Sequence, residues 1–98
     1  MKLRELLNDI HVIASNVDMD MNIESIAYDS RKVTEGGMFV AITGFATDGN
    51  RFSPLAMEKG AAVVVTAIEP QGDVPYVLVE NDRLALALIG ANFYGHPA

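Results

Sequence analysis

Hydrophobic positions along the chain switch between two spacings, and the switches outline a series of short elements. Leu3, Leu6 and Leu7 fall at i, i+3 and i+4 within Lys2 to Asn8, which predicts a short amphipathic helix. A polar, weakly patterned connection runs from Ser15 to Asn22. Ile23, Ser25 and Ala27 then alternate with Glu24, Ile26 and Tyr28, a blurred strand signal. Asp29 and Ser30 end that strand, because both side chains compete for local backbone hydrogen bonds. Gly36-Gly37 marks a turn. Met38 to Ile42 is a continuous apolar run, as expected of a strand covered on both faces.

The second half repeats the pattern. A helix opens somewhere between residues 49 and 54: either Ser53 caps it with Pro54 in the first helical position, or it starts nearer Asn50. Leu55, Ala56 and Lys59 share a face, and Gly60 stops the helix. Ala61 to Ala67 is β-branched and apolar, a buried parallel strand by pattern. Glu69 to Asp73 is a turn and Tyr76 to Val79 a further strand. Asn81 or Asp82 caps a last helix through residues 91–93, whose LALALIGA segment is apolar on nearly every side. Gly95, His96 and Pro97 terminate it. The order α, β, β, α, β, β, α predicts a single small α/β domain, a mixed or mostly parallel sheet flanked by helices. Such sheets bind ligands at the carboxyl ends of their strands.

Composition narrows the function. Ninety-eight residues make one domain, and half of them are hydrophobic, enough for a globular core. Thirteen acidic and seven basic side chains leave a net charge of −6, which opposes general attraction to nucleic acid or an anionic membrane. The absence of cysteine removes disulfides, thiolate metal sites and a thiol nucleophile. No apolar stretch approaches a membrane span, and MKLRELLNDI lacks the apolar core of a signal peptide, so an intracellular protein is expected.

Two polar corners carry the candidate chemistry, and both follow predicted strands. In Asp29-Ser30-Arg31 a hydroxyl donates and accepts, an arginine can fork onto phosphate or carboxylate, and backbone amides add donors. The same tripeptide is also an ordinary turn in which Asp29 pairs with Arg31 or caps. Gly44 to Gly49 offers amides between two glycines and the Phe45 ring, or simply a strand-to-helix connection capped by Asp48. His11, placed at the end of the first helix, and His96, beside the terminal glycine, read as ordinary imidazoles. Glu58, Glu69, Glu80 and Asp82 read as solvated charges and caps. No metal-ligand spacing, nucleophile elbow or G-x-x-x-x-G-K-[ST] loop occurs in the sequence, so neither a catalytic residue nor a cofactor site is expected in it.

The stretches IAYDSRKVTEGGMFVAITGFATDGNRF, AMEKGAAVVV and FYGHPA closely resemble the amino-terminal domain of Mur ligases, and the closing FYGHP favours the MurE type, UDP-N-acetylmuramoyl-tripeptide synthetase. The resemblance implies that residues 1–98 are the UDP-binding first domain of a longer cytoplasmic ligase. The central ATPase domain, with its G-T-N-G-K-T-T loop, and the carboxyl-terminal domain would lie outside this chain and act as its partners. The implied reaction is ATP- and Mg-dependent addition of meso-diaminopimelate or L-lysine to UDP-N-acetylmuramoyl-L-alanyl-D-glutamate in peptidoglycan synthesis. This segment alone would be inactive. By position, Ser30 matches a serine contacting the uridine diphosphate, Tyr28 a residue lining the uracil, and Phe45, Ala46 and Thr47 a segment around base and ribose. Arg31, Asp48 and Gly49 are supporting motif residues. The family often has a polar residue at the Phe45 slot, so stacking or apolar contact would replace a hydrogen bond there. Met38 is a small departure within the hydrophobic run. Two alternatives are the first domain of the related D-Ala-D-Ala-adding ligase (MurF) and a non-catalytic interaction domain on the same scaffold.

Overall fold

Alternating side chains on the buried strands divide the core into two halves. Met38, Val40, Ile42, Val63, Val65, Val77 and Val79 belong to one apolar cluster, while Phe39, Ala41 and Val64 belong to another. Successive residues of a strand point to opposite faces, so the two clusters lie on opposite sides of one sheet. The computed structural model describes residues 1–42, 53–69 and 74–95. Its sheet has five strands: β1 (Val12–Ser15), β2 (Ile26–Ala27), β3 (Met38–Ala41), β4 (Val63–Thr66) and β5 (Tyr76–Val79). The spatial order is β1-β5-β4-β3-β2, with β2 to β5 mutually parallel and β1 antiparallel to β5. β3 and β4 are buried at every position, as their continuous apolar sequences require.

Crossovers between parallel neighbours are right-handed, so a row of strands laid down in one direction carries all its crossovers on one face. Val33 from the β2–β3 connection, Ala56 of α2 (Ser53–Glu58) and Val74 from the β4–β5 connection all pack into the Phe39 cluster. The other face is covered by α1 (Leu3–Leu6) and α3 (Asp82–Tyr94), through Leu3, Leu6, Ala85 and Ile89. Asn81 caps α3, its side chain accepting the Leu84 N–H at 3.0 Å. The Asn92 amide donates to the carbonyls of Leu6 and Asn8 at 3.0 and 3.1 Å, binding α3 to the end of α1. The Gly36-Gly37 turn is fixed by geometry. Gly36 has φ 78°, and a Cβ on Gly37 would collide with the Ser25 hydroxyl, which is hydrogen-bonded to that of Thr34 at 2.6 Å.

Three expectations change. β1 falls where the pattern gives no element, only its last residue Ser15 lying in the expected connection, and it is an edge strand with Ile13 to Ser15 exposed. A register shift between Val12 and Ala14 breaks the alternation that would have signalled it. The strand expected over residues 23–28 contracts to Ile26–Ala27, because Asn22 bridges to Lys2 and the Ile23 N–H donates to the Met1 carbonyl at 2.7 Å. His11 is exposed and stands just before β1, beyond the turn that follows α1, not at the end of that helix. The turn from Glu69 to Asp73 and the terminal His96 and Pro97 fall wholly or partly outside the described residues.

Candidate functional site

Because β2 to β5 are parallel, their carboxyl ends share one edge of the sheet, and ligands of open α/β sheets bind along that edge. Two different corners occupy it. The first follows β2. Tyr28 is 58% exposed immediately after the strand. Asp29 then caps a single 3-10 turn, Ser30–Lys32, its carboxylate accepting the Arg31 backbone N–H at 3.0 Å. The Arg31 guanidinium folds back onto the same carboxylate, donating Nε–H at 3.1 Å and Nη2–H at 2.9 Å. These bonds hold the Asp29 carboxyl well below its ordinary range, at about 2, with the Arg31 side chain the largest cause and its backbone N–H the next. Asp29 in turn raises the Arg31 pKa.

Of the two possibilities the tripeptide offers, the turn pairing is therefore the one formed. The pairing does not exhaust the arginine. Its side chain remains 81% exposed, with Nε and Nη2 turned to Asp29, and the neighbouring Lys32 is exposed too. The corner thus presents cationic groups beside a backbone turn tied to its capping residue. The Ser30 hydroxyl lies outside the described residues, as do Phe45, Ala46, Thr47, Asp48 and Gly49. β3 runs beside β2, Ala27 pairing with Phe39, so the end of β3 is next to the strand that leads into Tyr28.

The second corner lies across the sheet, where β1 begins and β4 and β5 end. A cavity of about 520 Å³ is lined there by Asp9, His11, Ala67, Glu80, Asn81 and Asp82, among others. Of the candidate binding residues that are described, neither Tyr28 nor Arg31 lines it. Asp82, read from sequence as a solvated charge, is only 6% exposed. It sits in the first turn of α3, where free amides and the helix dipole favour a carboxylate. Glu80 is exposed as expected, and so are Glu58 and Glu69. With three carboxylates on its walls, this cavity is electrostatically unsuited to a diphosphate; the Arg31–Lys32 corner is the better match in sign. Among the described residues no group of three or more His, Cys, Asp or Glu could hold a metal ion, and no helix is long and apolar enough to cross a membrane.

The architecture is that of a small, mostly parallel α/β domain whose ligand edge divides into a basic turn and an acidic cavity. Residues 22–94 match the model of the Mur ligase family, catalytic domain. The chain belongs to the Mur ligase family. It is 44% identical over 100 residues to a UDP-N-acetylmuramyl-tripeptide synthetase of Roseiflexus sp., covering 99% of this chain and 20% of the relative. It is 42% identical to the UDP-N-acetylmuramoyl-L-alanyl-D-glutamate--2,6-diaminopimelate ligase of Alkaliphilus metalliredigens, covering 100% of this chain and 20% of that one. The chain therefore spans about a fifth of the length of these curated relatives. A crystal structure of MurF from Acinetobacter baumannii superposes with a TM-score of 0.76 at 22% identity, over 93% of this chain and 20% of that one, a likeness of fold.

Proposed function

We propose that this chain is the UDP-binding first domain of a ligase that extends UDP-N-acetylmuramoyl-L-alanyl-D-glutamate by a diamino acid in cytoplasmic peptidoglycan synthesis. The observation that carries this reading is the end-to-end match to relatives named as such ligases, at 42% identity over the full chain. The substrate for which these relatives are named, 2,6-diaminopimelate, favours that amino acid over L-lysine. The MurF reading rests on structural likenesses at 22% and 28% identity, below the 42% of the diaminopimelate-ligase relative. In this proposal the central ATPase and carboxyl-terminal domains belong to the part of the relatives' length that the chain does not span.

The division of labour has a physical logic. A remote handle such as UDP supplies binding energy that positions a reacting carboxylate elsewhere. A domain holding only that handle needs turns, amides and hydroxyls, with no acid or base. Tyr28 and Ser30 on one side, and Phe45, Ala46 and Thr47 on the other, would flank the uridine. Arg31, Asp48 and Gly49 would support the two loops, with Arg31 and Lys32 facing the diphosphate. In this proposal ATP and Mg²⁺ would be held by the domains that the chain does not span, in keeping with the lack of a phosphate-loop lysine motif in the sequence.

Titrating the 98-residue chain with UDP while following backbone amide resonances tests the proposal. Shifts concentrated at residues 28–32 and 44–49 are expected. Shifts centred on Asp9, Glu80 and Asn81 would move the ligand to the acidic cavity and overturn it.

A further inference from the structure

Among the described residues, about half of the circumference of α3 is covered. Ala85 and Ile89 are buried, and Leu86 and Phe93 pack against the same cluster. The opposite half carries Leu84, Ala87, Leu88, Ala91 and Tyr94; Leu84 is 55% and Tyr94 77% exposed, Ala87 is exposed, Leu88 and Ala91 are half-buried, and Leu84 and Leu88 also line the acidic cavity. Arg83 is the single charged residue on that half. A surface helix ordinarily turns a charged stripe to solvent, and a helix apolar all round is a buried one.

Gly90 makes a separate point. It stands well inside the 13-residue helix, where glycine is the least favourable residue after proline. A Cβ added there would meet nothing within 4 Å, so packing among the described residues does not call for a glycine. What a missing side chain does provide is room for another backbone to approach.

We infer that the outward face of α3 is a docking surface for polypeptide of the same protein, supplied by the remainder of the length seen in its relatives. The inference rests on the proposal that this is the first domain of a longer ligase. The chain covers 20% of relatives matched along its whole length, and α3 is the last element among the described residues, so a continuation would leave from the end of this helix. A second copy fits less well. Each copy carries a charge of −6. A helix of this length offers a strip about 20 Å long and 10 Å wide, far short of the roughly 800 Å² per partner of a stable dimer. A tethered domain needs less area, because the link makes the contact intramolecular.

The test compares the 98-residue chain with the full product of its gene, each carrying Ala87→Glu or Ala91→Glu. Both variants should leave the melting temperature and UDP response of the short chain unchanged. In the full product they should accelerate proteolytic cleavage just after α3 by about fivefold or more. Gly90→Ala should change sign, stabilising the short chain and loosening the docked one. Cleavage of the full-length variants at the wild-type rate overturns the inference while leaving the UDP proposal intact. Sedimentation of the short chain as a dimer that Ala91→Glu dissolves overturns it in favour of self-association. A reading frame that stops at residue 98 removes both this inference and the domain proposal beneath it.

Discussion

Asp29 and Arg31 close a ring on one another: the carboxylate takes the arginine's backbone N–H, its Nε–H and its Nη2–H, at 3.0, 3.1 and 2.9 Å. Three donors from one residue tie the middle of the Ser30–Lys32 turn to its capping residue. Because the folded carboxyl titrates at about 2 against an ordinary 3.8, its contribution to stability is fully present above about pH 4. It is lost as the pH falls through the folded value. Following the Asp29 carboxyl carbon by NMR should give a midpoint near 2 in the wild type. Arg31→Gln should raise the midpoint but stop short of 3.8, since the backbone N–H still donates. A midpoint unmoved by that substitution would show that Arg31 does not hold the carboxylate.

Ser30→Ala probes the proposed nucleotide contact. Loss of one neutral hydrogen bond should weaken UDP binding by about 0.5–1.5 kcal/mol, roughly two- to twelvefold. Calorimetric titration measures this directly. Equal affinity would remove Ser30 from the site.

Gly90→Ala tests helix propensity alone in the short chain. With open space around the new methyl, stability should rise by about 0.8–1 kcal/mol and the melting temperature by about 4–8 °C. A lower melting temperature would reveal a steric demand at Gly90.

One helix also allows a paired control. Ile89 is fully buried and Leu84 is 55% exposed. Ile89→Ala should cost about 2–5 kcal/mol in urea denaturation. Leu84→Ala should stay within about 0.5 kcal/mol of wild type. Similar losses at the two positions would mean that the outward face is already covered in the short chain.

The buried half of the fold could be read from pattern because burial leaves a one-dimensional trace. Strands covered on both faces, such as Val63–Thr66, appear as unbroken apolar runs, and Asn81 and Gly95 bracket α3 by their capping chemistry. β1 leaves no such trace, since its outer residues are exposed and its bulge shifts the alternation. The acidic cavity was lost with it. Asp9 and His11 reach the ends of β4 and β5 only because β1 lies against β5, and no spacing along the chain brings residues 9, 67 and 80 together. The burial of Asp82 is hidden for the same reason. At the basic corner, the residue types stated both possible pairings of Arg31, and the choice between them depends on the backbone of a single turn.

Among the described residues β1 pairs only with β5, and Asn92 clasps the first helix from α3. A ribosome delivering this polypeptide in order must therefore have released it through α3 before the residues of α1 and β1 can find their place. The amino-terminal segment waits unpaired, and assembly is completed by closing a loop that includes every other strand. Cutting either end should consequently be felt at the opposite one: a nick that frees Asn92 loosens α1 as surely as deleting the residues before it.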